Sequence, residues 1–144
     1  MNTAHPLLFD KLSISTPSNH WRDALFRDVE CLLNNAARSG QLFLHNYTYC
    51  QHSVLNYGLP SLSQQLPINA DALTLAQHIK TIITVFEPRI DPRSMRVVPV
   101  MEKSYARLLA VLFDINGICT IPDHQAPFNL RIALDYSCGA VTMI

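Results

Sequence analysis

Charge is what this sequence has least of: 15% of its 144 residues are Asp, Glu, Lys or Arg, against about 25% in an average globular chain. Eleven bases offset eleven acids, and the balance holds along the chain, with four basic and five acidic groups in residues 1–72 and seven and six in residues 73–144. A phosphate-tracking surface needs clustered cations, so nucleic acid is not expected as a partner. Weak self-repulsion suits a protein that is comfortable inside an assembly. Long apolar runs are also missing. No stretch approaches the roughly 20 apolar residues that span a bilayer. The start, MNTAHPLLFDKLS, has neither a cationic opening nor a long apolar core. Neither membrane insertion nor a secretory signal is therefore expected.

Glycine is scarce too, at four residues, which leaves little room for loops that hold a phosphate by close backbone approach. There is no Gly-x-Ser-x-Gly and no His-Glu-x-x-His. Cys31, Cys50, Cys119 and Cys138 are widely separated with no Cys-x-x-Cys pair, so four free thiols in a reducing compartment are expected. His45, Cys50 and His52 form the densest set of possible ligands, with Cys119, His124 and Cys138 elsewhere. Their intervals match no common zinc site. Cys50 with His52 also spells a thiol nucleophile and its base, but the pair alternates with Tyr47, Tyr49 and Val54, as in an ordinary half-buried segment. No metal, cofactor or catalytic residue is expected.

What is present points to a folded chain: 49% of residues are hydrophobic, and the length suits one domain. Residues 1–20 read as a docking arm, punctuated by Pro6 and Pro17 and carrying Leu7, Leu8, Phe9 and Leu12, ahead of a single domain over 21–144. From Trp21 the period becomes 3.6, with Leu25, Val29, Leu32 and Leu33 on one face, Arg22, Asp23, Arg27, Asp28 and Glu30 away from it, and Ser18 or Asn19 available as N-cap. Residues 36–68 read as a mostly irregular connection. A second helix follows Asn69, buries Leu75, Ile79, Ile82, Ile83 and Phe86, and stops at Pro88.

The remainder is strand-like. Met95–Met101 holds Pro99, which confines it to an edge or a bulge. Leu108–Phe113 is unbroken apolar, the mark of a strand covered on both faces. Asn116-Gly117 is either a tight hairpin turn or part of a strand that continues, with a bend, to Ile121 before a Pro122–Pro127 loop, and continuation is the preferred reading. Phe128, Leu130, Ile132, Leu134 and Tyr136 alternate with polar or small residues, and Ser137-Cys138-Gly139 turns into a last short strand. Helices first and strands after make an α+β fold, with two main helices packed on a mainly antiparallel C-terminal sheet.

Two segments carry the functional argument. In Phe86-Glu87-Pro88-Arg89-Ile90, an extended backbone turns Glu87 and Arg89 the same way across a rigid proline, a paired charge fork among apolar neighbours. Alternatively these are solvated charges at a helix end. A glycosidase acid at Glu87 needs a raised pKa and a second carboxylate, for which Asp91 is the candidate. Arg89 alongside works in the opposite direction. Ser53-Val54-Leu55-Asn56-Tyr57-Gly58-Leu59-Pro60 reads as a compact turn, in which Asn56 and Gly58 tolerate positive φ and Val54, Leu55, Tyr57 and Leu59 offer anchors. It can equally be a loop pinned to the core.

LFDKLS at 8–13, RDALFRDVECLLNN at 22–35, SVLNYGLP at 53–60 and FEPRI at 86–90, in that order, resemble the TssE family of type VI secretion baseplate subunits. That family is related to a contractile-phage tail wedge subunit sometimes labelled lysozyme-like. The resemblance implies a non-enzymatic, cytoplasmic structural protein at the baseplate near the inner membrane, bound to TssF and TssG, close to TssK, from which the TssB and TssC sheath begins to assemble. It implies that Glu87, Pro88 and Arg89 hold the subunit to the wedge, with Asn56, Tyr57 and Gly58 shaping that contact, and that the C-terminal sheet accepts sheath strands. Ser61 stands where an acidic residue is usual in the family, and Cys138 where Thr is. Two rival readings are a cell-wall glycosidase and a regulatory binding module, because a stress-response anti-adaptor shares the Glu-Pro-Arg-bearing fold while lacking the SVLNYGLP segment.

Overall fold

Four apolar side chains at helical spacing organise the first element: Leu25, Val29, Leu32 and Leu33 are the buried residues of α1, Trp21–Asn34. The computed structural model describes residues 21–37, 44–60, 72–100, 110–121 and 124–144. The arm expected over 1–20, the caps expected at Ser18, Asn19 and Asn69, and Leu108-Leu109 lie outside them.

The connection after α1 is made of short pieces, as its turn formers imply. Ala36–Ala37 is β1, Thr48–Gln51 is the one-turn α2, and 3-10 turns cover Leu44–Asn46 and Val54–Asn56. Leu59–Pro60, β2, pairs in parallel with β1, a contact that periodicity does not reveal because each strand is two residues long. The second main helix, α3, is Ala72–Phe86 and buries Leu75, Ala76, Ile79 and Ile83. Ile82 and Phe86 are partly buried against the same core.

The sheet has the order β3-β4-β5-β6, with all neighbours antiparallel, so the fold is α+β. β3 is Arg96–Val100 and lies at an edge, where Pro99 is tolerated. β4, Ala110–Ile121, runs unbroken through Asn116-Gly117. Gly117 is needed there because a Cβ would lie 3.0 Å from the Phe128 ring. β5, His124–Asp135, begins earlier than expected: His124 already pairs with Ile121 and Pro127 with Ile118, so most of the loop predicted over 122–127 is strand. β5 stops before Tyr136, and Gly139, at φ 73°, donates its N–H to the Asp135 carbonyl before β6, Val141–Met143.

The helices cover one face of this sheet. Phe113, Ile115, Cys119, Leu130, Ile132 and Leu134 share the core with the apolar faces of α1 and α3. The other face of β4 carries Asp114, bound by Arg131, and Asn116, bound by Asn129. Cover on both faces therefore does not hold along β4, although Leu112 on the polar side is buried.

Candidate functional site

Pro88 lacks the amide that would extend α3, and the chain turns at once. Glu87 makes the last helical bond, donating its N–H to the Ile83 carbonyl at 2.8 Å, and the Glu87 carbonyl accepts from Ile90 N–H at 3.2 Å. Pro88 thus occupies the second position of a tight turn, which its fixed φ favours. The turn is stitched to the end of β4: Thr120 N–H donates to the Arg89 carbonyl at 2.7 Å, and Asp91 N–H to the Ile118 carbonyl at 3.0 Å. Ser94 Oγ donates to the Asp91 carbonyl and accepts from Ile118 N–H, each at 2.9 Å. Glu87 and Arg89 do come together, as the two-residue spacing suggests. The geometry that joins them is this turn, in place of the extended backbone expected.

Arg89 is the centre of the site. Its Nε donates to Glu87 Oε1 at 2.6 Å and its Nη2 to Glu87 Oε2 at 2.5 Å, the two-pronged arrangement that matches a guanidinium to a carboxylate. The same Nη2 donates to Asp28 Oδ2 at 2.9 Å. Arg27 Nε lies 3.4 Å from the other Asp28 oxygen. Among the described residues Glu87 is the one charged residue in the buried class, with a side chain 7% exposed, while Arg89 and Asp28 keep 25% and 30% of theirs in solvent. Burial disfavours the Arg89 charge, but the bonds and charges of Glu87 and then Asp28 outweigh it and hold the guanidinium pKa above its ordinary value. The group is a fully formed ion cluster with one side open to solvent.

The SVLNYGLP loop reaches this cluster through Tyr57. The Tyr57 ring packs edge-on against Phe86, with centroids 5.3 Å apart. Burial raises the phenol pKa, Asp28, Cys31 and Glu87 raise it further, and Arg89 opposes them, so the hydroxyl lies in the cluster's field. Gly58 has φ 115° and its backbone crosses Asn35 so closely that a Cβ would sit 2.1 Å from the Asn35 carbonyl oxygen. Leu59 N–H donates to that same carbonyl at 3.0 Å. Asn56 spends its Nδ2 on the Gln51 carbonyl at 2.9 Å, and Ser53 Oγ caps the following turn. Of the loop's apolar residues, Leu59 is buried and Tyr57 half-buried, whereas Val54 and Leu55 point outward, with Val54 86% exposed.

The structure therefore unites Glu87, Arg89 and Tyr57, leaves Pro88 exposed in the turn between them, and gives Asn56 and Gly58 the task of shaping the loop. Asp28 was not singled out from sequence. Its position, three after Leu25 and one before Val29, places it beside the apolar stripe of α1 and not opposite it. Chemically, both Glu87 oxygens are engaged by a cation, which is the form of a salt bridge and not of a proton donor poised over a glycosidic bond. Asp91, the other carboxylate considered, caps the local turn by accepting from Arg93 N–H. All four cysteines are free, and Cys119, buried behind the turn, has its thiol pKa raised first by burial. Among the described residues no three His, Cys, Asp or Glu side chains gather as a metal centre, and no helix is long and apolar enough to cross a membrane.

A family model described as baseplate wedge protein gp25 matches residues 19–121. The match takes in α1, the SVLNYGLP loop, α3, the Glu87–Ile90 turn, β3 and β4. Searches of curated proteins and of solved structures returned no match.

Proposed function

The chain belongs to the baseplate wedge protein gp25 family, and from that premise we propose that it is the TssE-type component of a type VI secretion baseplate, working as a structural part and not as an enzyme. Glu87, Pro88 and Arg89 anchor it to the wedge core formed by TssF and TssG, near TssK. The C-terminal sheet receives the first TssB and TssC strands, linking the wedge to the contractile sheath and starting its assembly. Its place is cytoplasmic, at the baseplate by the inner membrane.

The observation that carries this reading is the Glu87–Arg89–Asp28 cluster. It is desolvated on one side and open on the other, and a rigid turn tied to β4 presents it. A preformed ion pair at the surface costs little further ordering when a partner covers it, and removing one member of such a covered pair costs about 2 to 5 kcal/mol. Tyr57 and the outward Val54 and Leu55 lie on the loop that reaches the same cluster, and aromatic and aliphatic anchors of this kind carry much of the energy in protein interfaces. Co-expression with TssF and TssG tests the proposal: a stable complex is expected, and a folded protein that ignores both subunits contradicts it. In parallel, no turnover of peptidoglycan is expected, and muramidase activity abolished by Glu87→Gln would overturn the structural assignment.

A further inference from the structure

A sheet edge exposes a row of N–H and C=O groups that another chain's strand can join. The hydrogen bonds here fix which residues face outward at each edge. Asp135 N–H donates to the Ala140 carbonyl and Ile144 N–H to the Arg131 carbonyl, so odd-numbered residues of β5 turn their backbone groups toward β6. β6 pairs only with Ile132–Leu134. Where it no longer runs, the outward residues of β5 are Gln125, Pro127 and Asn129. On β4 the even-numbered Ile118 and Thr120 bond the turn at Arg89–Asp91. Their even-numbered successors face β3, whose Arg96, Val98 and Val100 face back, leaving Val97 and Pro99 outward. Each of these two edges therefore carries a proline at an outward position, and its missing donor blocks a continuous ladder permanently.

The β6 edge is guarded differently. Thr142 pairs inward with Ala133, so Val141 and Met143 face out, with no proline among them. Asn34 Nδ2 donates to the Val141 carbonyl at 2.7 Å, Asn34 Oδ1 accepts from Val141 N–H at 2.9 Å, and Glu30 Oε1 accepts from Met143 N–H at 3.4 Å. A side-chain amide has the donor and acceptor of a peptide, so Asn34 stands where a residue of an added strand would. It also has somewhere to go: its Nδ2 lies 3.1 Å from the Glu30 carbonyl, a second acceptor already in reach.

We infer that the β6 edge is the strand-accepting surface of this protein and that Asn34 and Glu30 form a removable latch over it. The occupant is an extended backbone segment of another chain, which replaces the side-chain bonds to Val141 and Met143 with main-chain ones. The exchange conserves hydrogen bonds, whereas the prolines of the other two edges cannot be displaced. This inference rests on the proposed sheath contact and names the edge that makes it.

Amide hydrogen exchange on the full chain, free and mixed with the TssB–TssC complex, tests it. In the free protein, Asn34→Ala speeds exchange at Val141 roughly tenfold while α1 stays protected, and Glu30→Ala does so at Met143 alone. With the sheath complex, Val141 and Met143 become protected in wild type and both variants, and Asn34→Ala binds several-fold more tightly because nothing must be displaced. Protection at Val97 or at Gln125–Asn129, with β6 unchanged, overturns the latch and leaves the sheath contact standing. Folded variants that bind more weakly also overturn it. No binding by wild type or variant removes the sheath contact and the latch together.

Discussion

Arg89 reaches both oxygens of Glu87, at 2.6 and 2.5 Å, across a single intervening proline. The pair is unequal in its surroundings, Glu87 being buried while Arg89 keeps a quarter of its side chain in solvent. Arg89→Ala strands a buried carboxylate and should cost about 3 kcal/mol of stability. Asp28→Asn removes a partner that is 30% exposed and should cost about 1 kcal/mol or less. Urea unfolding of the two variants checks the order. Equal losses would show that burial of Glu87 does not dominate the cluster.

Gly58 is the backbone condition for bringing Tyr57 to that cluster. A methyl group there meets the Asn35 carbonyl at 2.1 Å in a conformation, φ 115°, that L side chains rarely adopt. Gly58→Ala should destabilise the protein by about 2 to 4 kcal/mol and change Tyr57 fluorescence or chemical shift. A stable variant with unchanged Tyr57 signals would contradict the close crossing.

Cysteine reactivity reports the core directly. Cys31 and Cys138 are exposed, whereas Cys119 is 2% exposed with its thiol pKa raised by burial. Ellman titration of native protein at pH 8 should therefore label Cys31 and Cys138 quickly and Cys119 only on unfolding. Rapid modification of Cys119 in the folded state, mapped by peptide mass, would contradict the position of the Glu87–Ile90 turn over β4.

Asp114 gives the pH dependence. Hydrogen bonds from Arg131 hold its carboxyl below the ordinary value of 3.8. A carboxylate whose folded pKa is depressed stabilises the fold above its unfolded pKa and loses that contribution as pH falls through the folded value. The stability difference between wild type and Asp114→Asn should be full above about pH 5 and vanish in strong acid. With Arg131 39% exposed, it should stay within about 0.2 to 1 kcal/mol. A difference that grows on acidification would contradict the pairing.

The parts of this architecture that sequence reveals are those with a long period or a hard stop. The stripe of α1 is legible because Leu25, Val29, Leu32 and Leu33 repeat over four turns, and the end of α3 because Pro88 cannot continue it. Pro99 signals an edge correctly, but Pro127 was taken for loop, because its place at the uncovered half of β5 depends on how far β6 extends. The β1–β2 pair is too short to carry a pattern. Glu87 and Arg89 announce each other by adjacency. Asp28 is 61 residues from its partner, and only the packing of α1 against α3 brings it there.

The central claim, that Glu87 and Arg89 serve to hold a neighbouring subunit, is tested most directly by measuring co-purification of Glu87→Ala, Arg89→Ala and Arg89→Lys with TssF and TssG, with folding verified by circular dichroism. Lysine keeps the charge but not the fork, so it separates partner recognition from simple charge balance within the fold. All three folded proteins should lose the wedge complex, Arg89→Lys least. Undiminished recovery of TssF and TssG with both alanine variants would show that the cluster only braces its own chain.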